Sequence, residues 1–212
     1  MKFRIPKTIT SYRALEDLGR VRLSEHFFMR EFLYSSIADW YGLPNYPEDP
    51  QLAVEAGTHL AQQLLEPLKA KFGHVTIRSA YRSPTVNAKG AENGNQHQCA
   101  SNEANYAGHI WDKRDKDGNM GACATVQIPW VMDRIGEGRD WTALAWWIHD
   151  HLPYHSQTYF RSYGSLNLTW RENPMRKIKS FVAPRGTLTK PGMDNHSGDH
   201  SEHYQWIERE LV

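Results

Sequence analysis

Residues 75–112 constrain the fold of this chain more than any other stretch. The segment opens with a short β-type run at residues 75–77 and then becomes rich in turn-forming residues. Its hydrogen-bonding side chains follow one another closely: Arg82, Ser83, Asn87, Asn95 and His97. Polar residues this dense, directly after a strand, predict a site on the rigid edge of a sheet rather than a plain connector.

Composition indicates a globular chain without a strong electrostatic preference. The 212 residues suffice for one domain with a substantial core, and 40% of them are hydrophobic. The formal net charge is +1, which provides no argument for binding nucleic acid or an anionic membrane. We therefore expect no nucleic-acid partner.

The cysteines and the apolar runs bear on the compartment. Cys99 and Cys123 could form one bridge, but nothing in the sequence marks a disulfide framework, so a reducing compartment is the default. The first ten residues carry charge with no apolar run behind them, and no stretch approaches about 18 apolar residues. We expect a cytoplasmic protein with no membrane span. A protein acting on the cell wall would then need another exit, such as a phage-type route.

Local signals predict several helices. Asp49 followed by Pro50 predicts the start of a helix that runs to about Lys71 and ends before Gly73. Ser24 is a candidate N-cap for a helix at about 25–34. Shorter helices are predicted at 37–41 and at 141–151, the latter capped by Asp140.

Strand signals complete an α+β pattern. Residues 109–112 and 121–129 predict two strands joined by a hairpin turn at Asp115–Gly118, and residues 166–170 and 178–182 predict two more. We interpret residues 184–204 as irregular chain. The histidines of this segment share close spacing with two aspartates, and we favour a solvated polar tail over a metal site there: His196, His200 and His203.

The motif S-x-Y-R-S-P-x-x-N, at residues 79–87, resembles that of the zinc D-Ala-D-Ala peptidases of the M15 family, which have the Hedgehog/DD-peptidase fold. His97 follows Asn87 by ten residues, where that family has a zinc ligand. The upstream L-S-E-H-F at 23–27, R-E-F-L at 30–33 and L-E-P-L at 65–68 resemble the family's entry segment and first helix. The resemblance covers roughly residues 21–98.

The resemblance implies a small antiparallel sheet packed by helices. It divides the chain into a lead-in at 1–20, a DD-peptidase-like domain at 21–183 with an insertion at about 99–120, and an extension at 184–212. It also implies substrate-binding roles for Tyr81, Arg82, Ser83 and Asn87, with Arg82 holding a substrate carboxylate.

The rest of the family's zinc pattern is incomplete here. The Asp expected seven residues after His97 is Ala104. One realignment matches residues 121–126 to the family's G-x-A-x-D-I and puts Thr125 in the place of the Asp. The other completes the site with His109 and Asp112 beside His97. We predict His97, His109 and Asp112 as the zinc ligands on this second alignment.

The strand at 166–170 resembles the family strand that ends in Trp-His. Arg171 stands where that His belongs, and arginine is permanently charged and does not bind zinc. Glu172 is the nearby carboxylate that we predict as the catalytic base.

Two functions are therefore compatible with the sequence. One is a zinc-dependent hydrolase of peptidoglycan stem peptides containing D-Ala, with zinc as its cofactor. The other is a catalytically inactive M15-like scaffold that binds a peptide, glycan or protein partner, or forms part of a phage or other assembly.

Overall fold

A six-stranded mixed β-sheet, with helices from most of the chain around it, gives an α+β fold. The computed structural model describes residues 4–92, 96–97, 99–160 and 164–211. Asn95 of the predicted polar segment lies outside these residues. The α+β prediction is confirmed.

The helices of the described residues are mostly short. They are α1 (Tyr12–Gly19), α2 (Met29–Phe32), α3 (Ser36–Tyr41), α4 (Pro50–Leu60), α5 (Glu66–Phe72), α6 (Pro84–Ala91), α7 (Asn102–Asn105), α8 (Pro129–Gly136), α9 (Thr142–His151) and α10 (Gln205–Glu210). Two 3₁₀ turns, Asp194–His196 and Ser201–His203, precede α10. No helix within the described ranges combines the length and apolar character needed to cross a bilayer.

The sheet has the strand order β1-β2-β4-β3-β5-β6. Its strands are β1 (Thr76–Ser79), β2 (Gly121–Gln127), β3 (Ser156–Tyr159), β4 (Leu166–Arg171), β5 (Lys177–Ser180) and β6 (Gly186–Thr189). All neighbouring pairs are antiparallel except β3 and β5, which are parallel. The prediction of a purely antiparallel sheet is therefore wrong in this pair, because the short connection at residues 172–176 carries the chain past β3, and β5 then runs along the other edge of β3 in the same direction.

The predicted long helix consists of α4, a π-helical segment (Ala61–Leu65) and α5. Asp49 starts it, since its Oδ1 accepts a hydrogen bond from the backbone N–H of Leu52 at 3.1 Å. Gly73 ends it with a φ of 82°, a value that favours glycine. The π-helical segment contains one residue more per turn than an α-helix, just before Pro67.

The main core lies between this long helix and the central strands. α4 packs on β2 and β4. Alternate residues of the two strands are buried on that side: Ala122, Ala124, Val126, Leu166, Leu168 and Trp170. Tyr204 and Ile207 of the C-terminal segment belong to the same core, so the predicted extension packs onto the rest of the chain.

Three local predictions are wrong. Residues 109–112 form turns with a single bridge between Tyr106 and Ile110, not a hairpin strand. Ser24 does not cap a helix, because its hydroxyl donates instead to Glu66. Residues 184–204 contain β6 and the two 3₁₀ turns rather than irregular chain alone. Glu66, which binds Ser24, is distant in sequence, whereas residues 109–112 pair mainly within residues 105–113 and β6 pairs with the adjacent β5.

We predict that Gly57→Ala destabilises the protein. A Cβ at Gly57 in α4 would lie 2.7 Å from the Trp111 ring, which is fully buried and held between Phe32 and Tyr81. We expect the free energy of unfolding to fall by about 1–3 kcal/mol, because this overlap outweighs the helix propensity that alanine adds.

Gly136→Ala is the matched control, since a Cβ at this helical glycine meets no atom within 4 Å. It should be neutral or stabilising by up to about 1 kcal/mol. Denaturant unfolding of both variants measures the difference, and equal effects would contradict the packing argument.

Candidate functional site

The face of β2 and β4 that points away from α4 carries polar side chains. Successive residues of a strand alternate between faces, so Cys123 and Thr125 of β2 share this face with Asn167 and Thr169 of β4. The register places Cys123 opposite Thr169 and Thr125 opposite Asn167. This is the part of the sheet where the family alignment puts the metal site.

A chain of hydrogen bonds between neutral groups crosses this face. The Thr125 hydroxyl donates to Asn167 Oδ1 at 2.6 Å, and Asn167 Nδ2 donates to His109 Nε2 at 3.2 Å. On its other side, His109 Nδ1 donates to the Ala80 carbonyl at 2.7 Å. His109 is thus fixed as the Nδ1–H tautomer, with its Nε2 lone pair directed at the sheet.

His109 and Cys123 are both uncharged at neutral pH. Burial, together with the nearby Arg82 guanidinium, lowers the pKa of His109 to about 3. Burial raises the pKa of Cys123 to about 11, although its Sγ lies only 3.7 Å from His109 Nε2. A reactive thiolate–imidazolium pair requires the opposite shifts, so this pair is not an activated nucleophile.

Arg82 connects this face to the following loop. Its backbone N–H donates to the His109 carbonyl at 2.8 Å. Its Nη1 donates to Asn87 Oδ1 at 3.2 Å and to Cys99 Sγ at 3.1 Å. Within the described chain, the half-buried guanidinium forms no ion pair with a carboxylate.

Ser83 and Asn87, both predicted to bind substrate, hold the polypeptide around Arg82. Ser83 Oγ caps α6 by accepting from the Val86 N–H at 3.3 Å. Asn87 is fully buried, and its Nδ2 donates to the Ala100 carbonyl at 3.1 Å and to Asn102 Oδ1 at 2.9 Å. Both side chains are therefore occupied by protein partners.

Tyr81 and Asp112 meet on the core side. The buried Tyr81 hydroxyl donates to Asp112 Oδ1 at 3.3 Å, and the Glu48 N–H donates to Asp112 Oδ2 at 2.8 Å. Burial raises the pKa of Asp112. The Asp112 carboxyl group thus links the loop that contains Glu48 to Tyr81, which directly precedes Arg82.

The structure does not bring the predicted zinc ligands together. His97 lies on the surface beside Tyr41, with 5.8 Å between ring centroids, whereas His109 and Asp112 are buried with protein partners. In the described ranges, one set of three potential ligands has atoms within 4.8 Å of one another, and it excludes all three of these residues.

Zinc does not fit the polar face as it stands. His109 does have the orientation of a metal ligand, with Nδ1–H bound to a carbonyl. Beside Nε2 lie the Cys123 thiol and the Asn167 amide, with the Thr125 hydroxyl behind Asn167. Zinc would bind Cys123 as a thiolate next to His109, but neither the amide nor the hydroxyl supplies the third ligand that the ion requires. The implied metal is therefore not supported by the residues present.

Arg171 and Glu172 lie at the end of β4, away from Thr125. Arg171 donates to the backbone carbonyls of Ala107 and Tyr106 and pairs with Asp115, at 3.0–3.3 Å. Glu172, the predicted base, accepts from the Met120 N–H at 2.7 Å and pairs with Arg114. Both side chains brace residues 106–120. The residue across the sheet from Thr125 is Asn167, which the sequence alignment did not identify.

The family-like entry segment is tied to the long helix by Glu66. Its Oε1 accepts from the Ser24 hydroxyl and from the His26 N–H, each at 2.7 Å, and its Oε2 lies 2.8 Å from His26 Nδ1. Burial opposes ionisation, but these hydrogen bonds lower the pKa of Glu66 overall. The two segments that the sequence motifs cover, residues 23–27 and 65–68, are thus in direct contact.

The set of potential ligands that does converge is His149, Asp150 and His200. His200 is only 7% exposed, and its Nδ1 lies 2.6 Å from Asp150 Oδ1. The interpretation of this histidine as part of a solvated tail is therefore wrong. The sequence contained no signal for it, because the two partners are fifty residues apart.

Comparison with known proteins adds no assignment. No protein-family model, no curated protein and no solved structure matches the chain.

We predict that His109 makes stability depend on pH. Its folded-state pKa of about 3 lies below the unfolded value near 6.5, so the unfolded chain takes up a proton first as the pH falls. The stabilisation is complete above about pH 6.5 and decreases towards pH 3, at a limiting slope of about 1.4 kcal/mol per pH unit.

Removal of the titrating ring tests this. The stability difference between the wild type and His109→Gln should shrink as the pH falls from 7 to about 4.5, measured by urea unfolding. His74→Gln, at an exposed histidine, controls for the loss of a histidine as such. Parallel pH curves for the wild type and His109→Gln would contradict the assignment.

Proposed function

We propose that this chain is a catalytically inactive M15-like scaffold that binds a carboxylate-bearing peptide through Arg82. The proposal combines the sequence resemblance with the polar face of β2 and β4. Peptides of the peptidoglycan stem, which end in D-Ala, are the ligands that the resemblance implies. The Hedgehog/DD-peptidase fold is part of this proposal.

The observation that carries the proposal is the state of Arg82. A half-buried guanidinium ordinarily has a carboxylate partner, and among the described residues this one has none. One nitrogen, Nη1, is held by Asn87 and Cys99, which fixes the direction of the side chain. The other N–H groups are available for the two-pronged recognition of a carboxylate.

Inactivity is supported by the chemistry next to Arg82. A zinc hydrolase needs three ligands and a base that deprotonates a metal-bound water. Here Thr125, Asn167 and His109 form a neutral chain, and the candidate base Glu172 is bound to Met120 and Arg114. The competing proposal is a zinc-dependent hydrolase of the same peptides, favoured by the metal-ligand orientation of His109 alone.

We predict that Arg82 determines peptide affinity. Wild-type protein should bind a short peptide ending in D-Ala-D-Ala with a free carboxylate, and bind its C-terminal amide much more weakly. Arg82→Gln should weaken binding of the acid about ten-fold or more, since a hydrogen bond to a charged group contributes about 1.5–3 kcal/mol. Isothermal titration calorimetry measures both affinities.

Arg78→Gln is the matched control, because Arg78 is an exposed arginine on β1 whose side chain, among the described residues, hydrogen-bonds to Gln127 alone. It should bind like the wild type. Arg82→Lys keeps the positive charge but loses the paired N–H donors of the guanidinium, so its affinity for the acid should lie between those of the wild type and Arg82→Gln. Equal affinity of the wild type for the peptide acid and for its C-terminal amide would show that Arg82 does not recognise the carboxylate.

We also predict that two substitutions create a zinc site around His109. Thr125→Asp with Asn167→His would place a carboxylate and an imidazole on the face of the sheet that His109 Nε2 points towards. Elemental analysis of untagged protein should find about one zinc per chain in this double variant and substoichiometric zinc in the wild type.

Thr125→Asp with Arg171→His is the control, since Arg171 lies opposite Gly121 rather than Thr125. It should bind no zinc. About one zinc per wild-type chain, lost in His97→Ala or His109→Ala, would refute the inactive scaffold and favour the hydrolase.

A further inference from the structure

A second polar cleft lies away from the face of β2 and β4. It is formed by the end of α9, the turn that leads into β5 and the loop before the second 3₁₀ turn, and it has a volume of about 370 Å³. We call it the histidine cleft, lined among others by His149, Asp150, Arg176, His196 and Tyr204. A cleft of this size accommodates a small organic molecule.

Arg176 is held in this cleft by an uncommon backbone conformation. Its φ is 55°, in the left-handed region that non-glycine residues rarely adopt. Its carbonyl accepts from His196 Nε2 at 3.2 Å, and its Nη2 donates to the His149 carbonyl. Both ends of the residue are therefore fixed, although the conformation itself is unfavourable.

No described carboxylate forms an ion pair with the guanidinium of Arg176. Within the described ranges it forms no ion pair, and its Nε is buried without a hydrogen-bond partner. Its Nη1 is neither bonded to these residues nor among their buried unpartnered atoms. Nη1 is thus the part of the guanidinium that can meet a ligand.

Two carboxylates line the cleft, and both are engaged by other groups. Asp150 Oδ1 lies 2.6 Å from His200 Nδ1, and its Oδ2 accepts from the His200 N–H and the Tyr204 hydroxyl, each at 2.9 Å. Although burial opposes it, these contacts lower the pKa of Asp150. The second carboxylate, Asp199, accepts from the backbone and side chain of Ser201. Neither one neutralises Arg176.

The loop opposite Arg176 offers further donors. The backbone N–H groups of Ser197, Gly198 and Asp199 make no hydrogen bond to other described residues. Gly198 has a φ of 118°, so the loop turns where a side chain would be strained. These three residues line the cleft, so their N–H groups are open to donate to a bound anion.

A metal ion is a poorer occupant, although His149, Asp150 and His200 converge. The Tyr154 hydroxyl donates to His149 Nδ1 at 2.7 Å, and His149 Nε2 donates to the His196 carbonyl at 2.9 Å. His200 is bound at both nitrogens, to Asp150 and to the Asn195 carbonyl. A cation would have to break these bonds beside the positive charge of Arg176.

We propose that the histidine cleft binds an oxyanion, a carboxylate or phosphate group of a small molecule, against the guanidinium of Arg176. The loop at 197–199 supplies backbone donors to the same group. His149 forms part of the wall of the cleft, and burial lowers its pKa, which favours the neutral imidazole. The site is independent of Arg82, and the failure of one proposal leaves the other intact.

The test is ligand-dependent thermal stability of the full chain. Inorganic phosphate and sodium acetate are titrated separately at constant ionic strength maintained with sodium chloride. A ligand that binds only the folded state raises Tm in a concentration-dependent way. We expect at least one of the two anions to raise the Tm of the wild type. Because Arg82 could also bind acetate, the anion whose effect is lost in Arg176→Asn identifies the cleft as a phosphate or a carboxylate site.

Arg176→Asn removes the charge while keeping a residue that tolerates the left-handed region. It should weaken the apparent affinity about ten-fold or more. Arg185→Gln, at an exposed arginine before β6, is the control and should respond like the wild type.

Three results would overturn the proposal: no Tm increase with either anion, an equal increase in Arg176→Asn, or an increase with zinc chloride and none with the anions. The first and third need only the wild type, so they apply even if Arg176→Asn does not fold.

Discussion

The antiparallel pairing of β2 with β4 is the contact on which the rest of the structure depends. Its register runs from Gly121 opposite Arg171 to Val126 opposite Leu166, without a bulge. Because side chains alternate along a strand, this one register decides both what packs against α4 and what faces the other side. A slip by one residue would exchange the apolar core with Cys123, Thr125 and Asn167. The core and the polar face are therefore specified together.

Elements with local signals could be predicted from the sequence. Asp49 and Gly73 bound the long helix through hydrogen bonds and a backbone angle that lie within a few residues, and the apolar run at 166–170 forms β4 as expected. Residues 109–112 were misassigned because their alternation resembles a strand, whereas the N–H and C=O groups there pair with Arg82 and residues 105–113 in turns. Local pattern does not specify such partners.

The candidate site was predicted in part for the same reason. Arg82 and His109 were identified from the motif and its surroundings, and both lie beside the polar face. Asn167 was missed, because its importance arises from lying across the sheet from Thr125. His200 and Arg176 were missed because burial and the lack of an ionic partner are properties of the folded chain. The convergence of side chains distant in sequence is a tertiary property, and one sequence does not contain it.

The polar face is held in order by hydrogen bonds between its own side chains. A zinc ion organises its ligands by charge, whereas here an unbroken chain of donors and acceptors runs from Thr125 through Asn167 and His109 to Ala80. Each of these links satisfies a polar group that would otherwise be costly to bury. The low pKa of His109 keeps its imidazole, and with it this chain of hydrogen bonds, uncharged at neutral pH.

The π-helical segment between α4 and α5 changes the direction in which the side chains of the long helix point after it. Before it, His59 stacks on Trp170, and within it Gln63 accepts from the indole of Trp170 at 2.9 Å. After it, Glu66 faces Ser24 and His26. One residue corresponds to about 100° of helical rotation. The extra residue thus rotates the side chains that follow it about the helix axis. As a result, the residues before it contact the sheet, and Glu66 after it contacts the N-terminal segment.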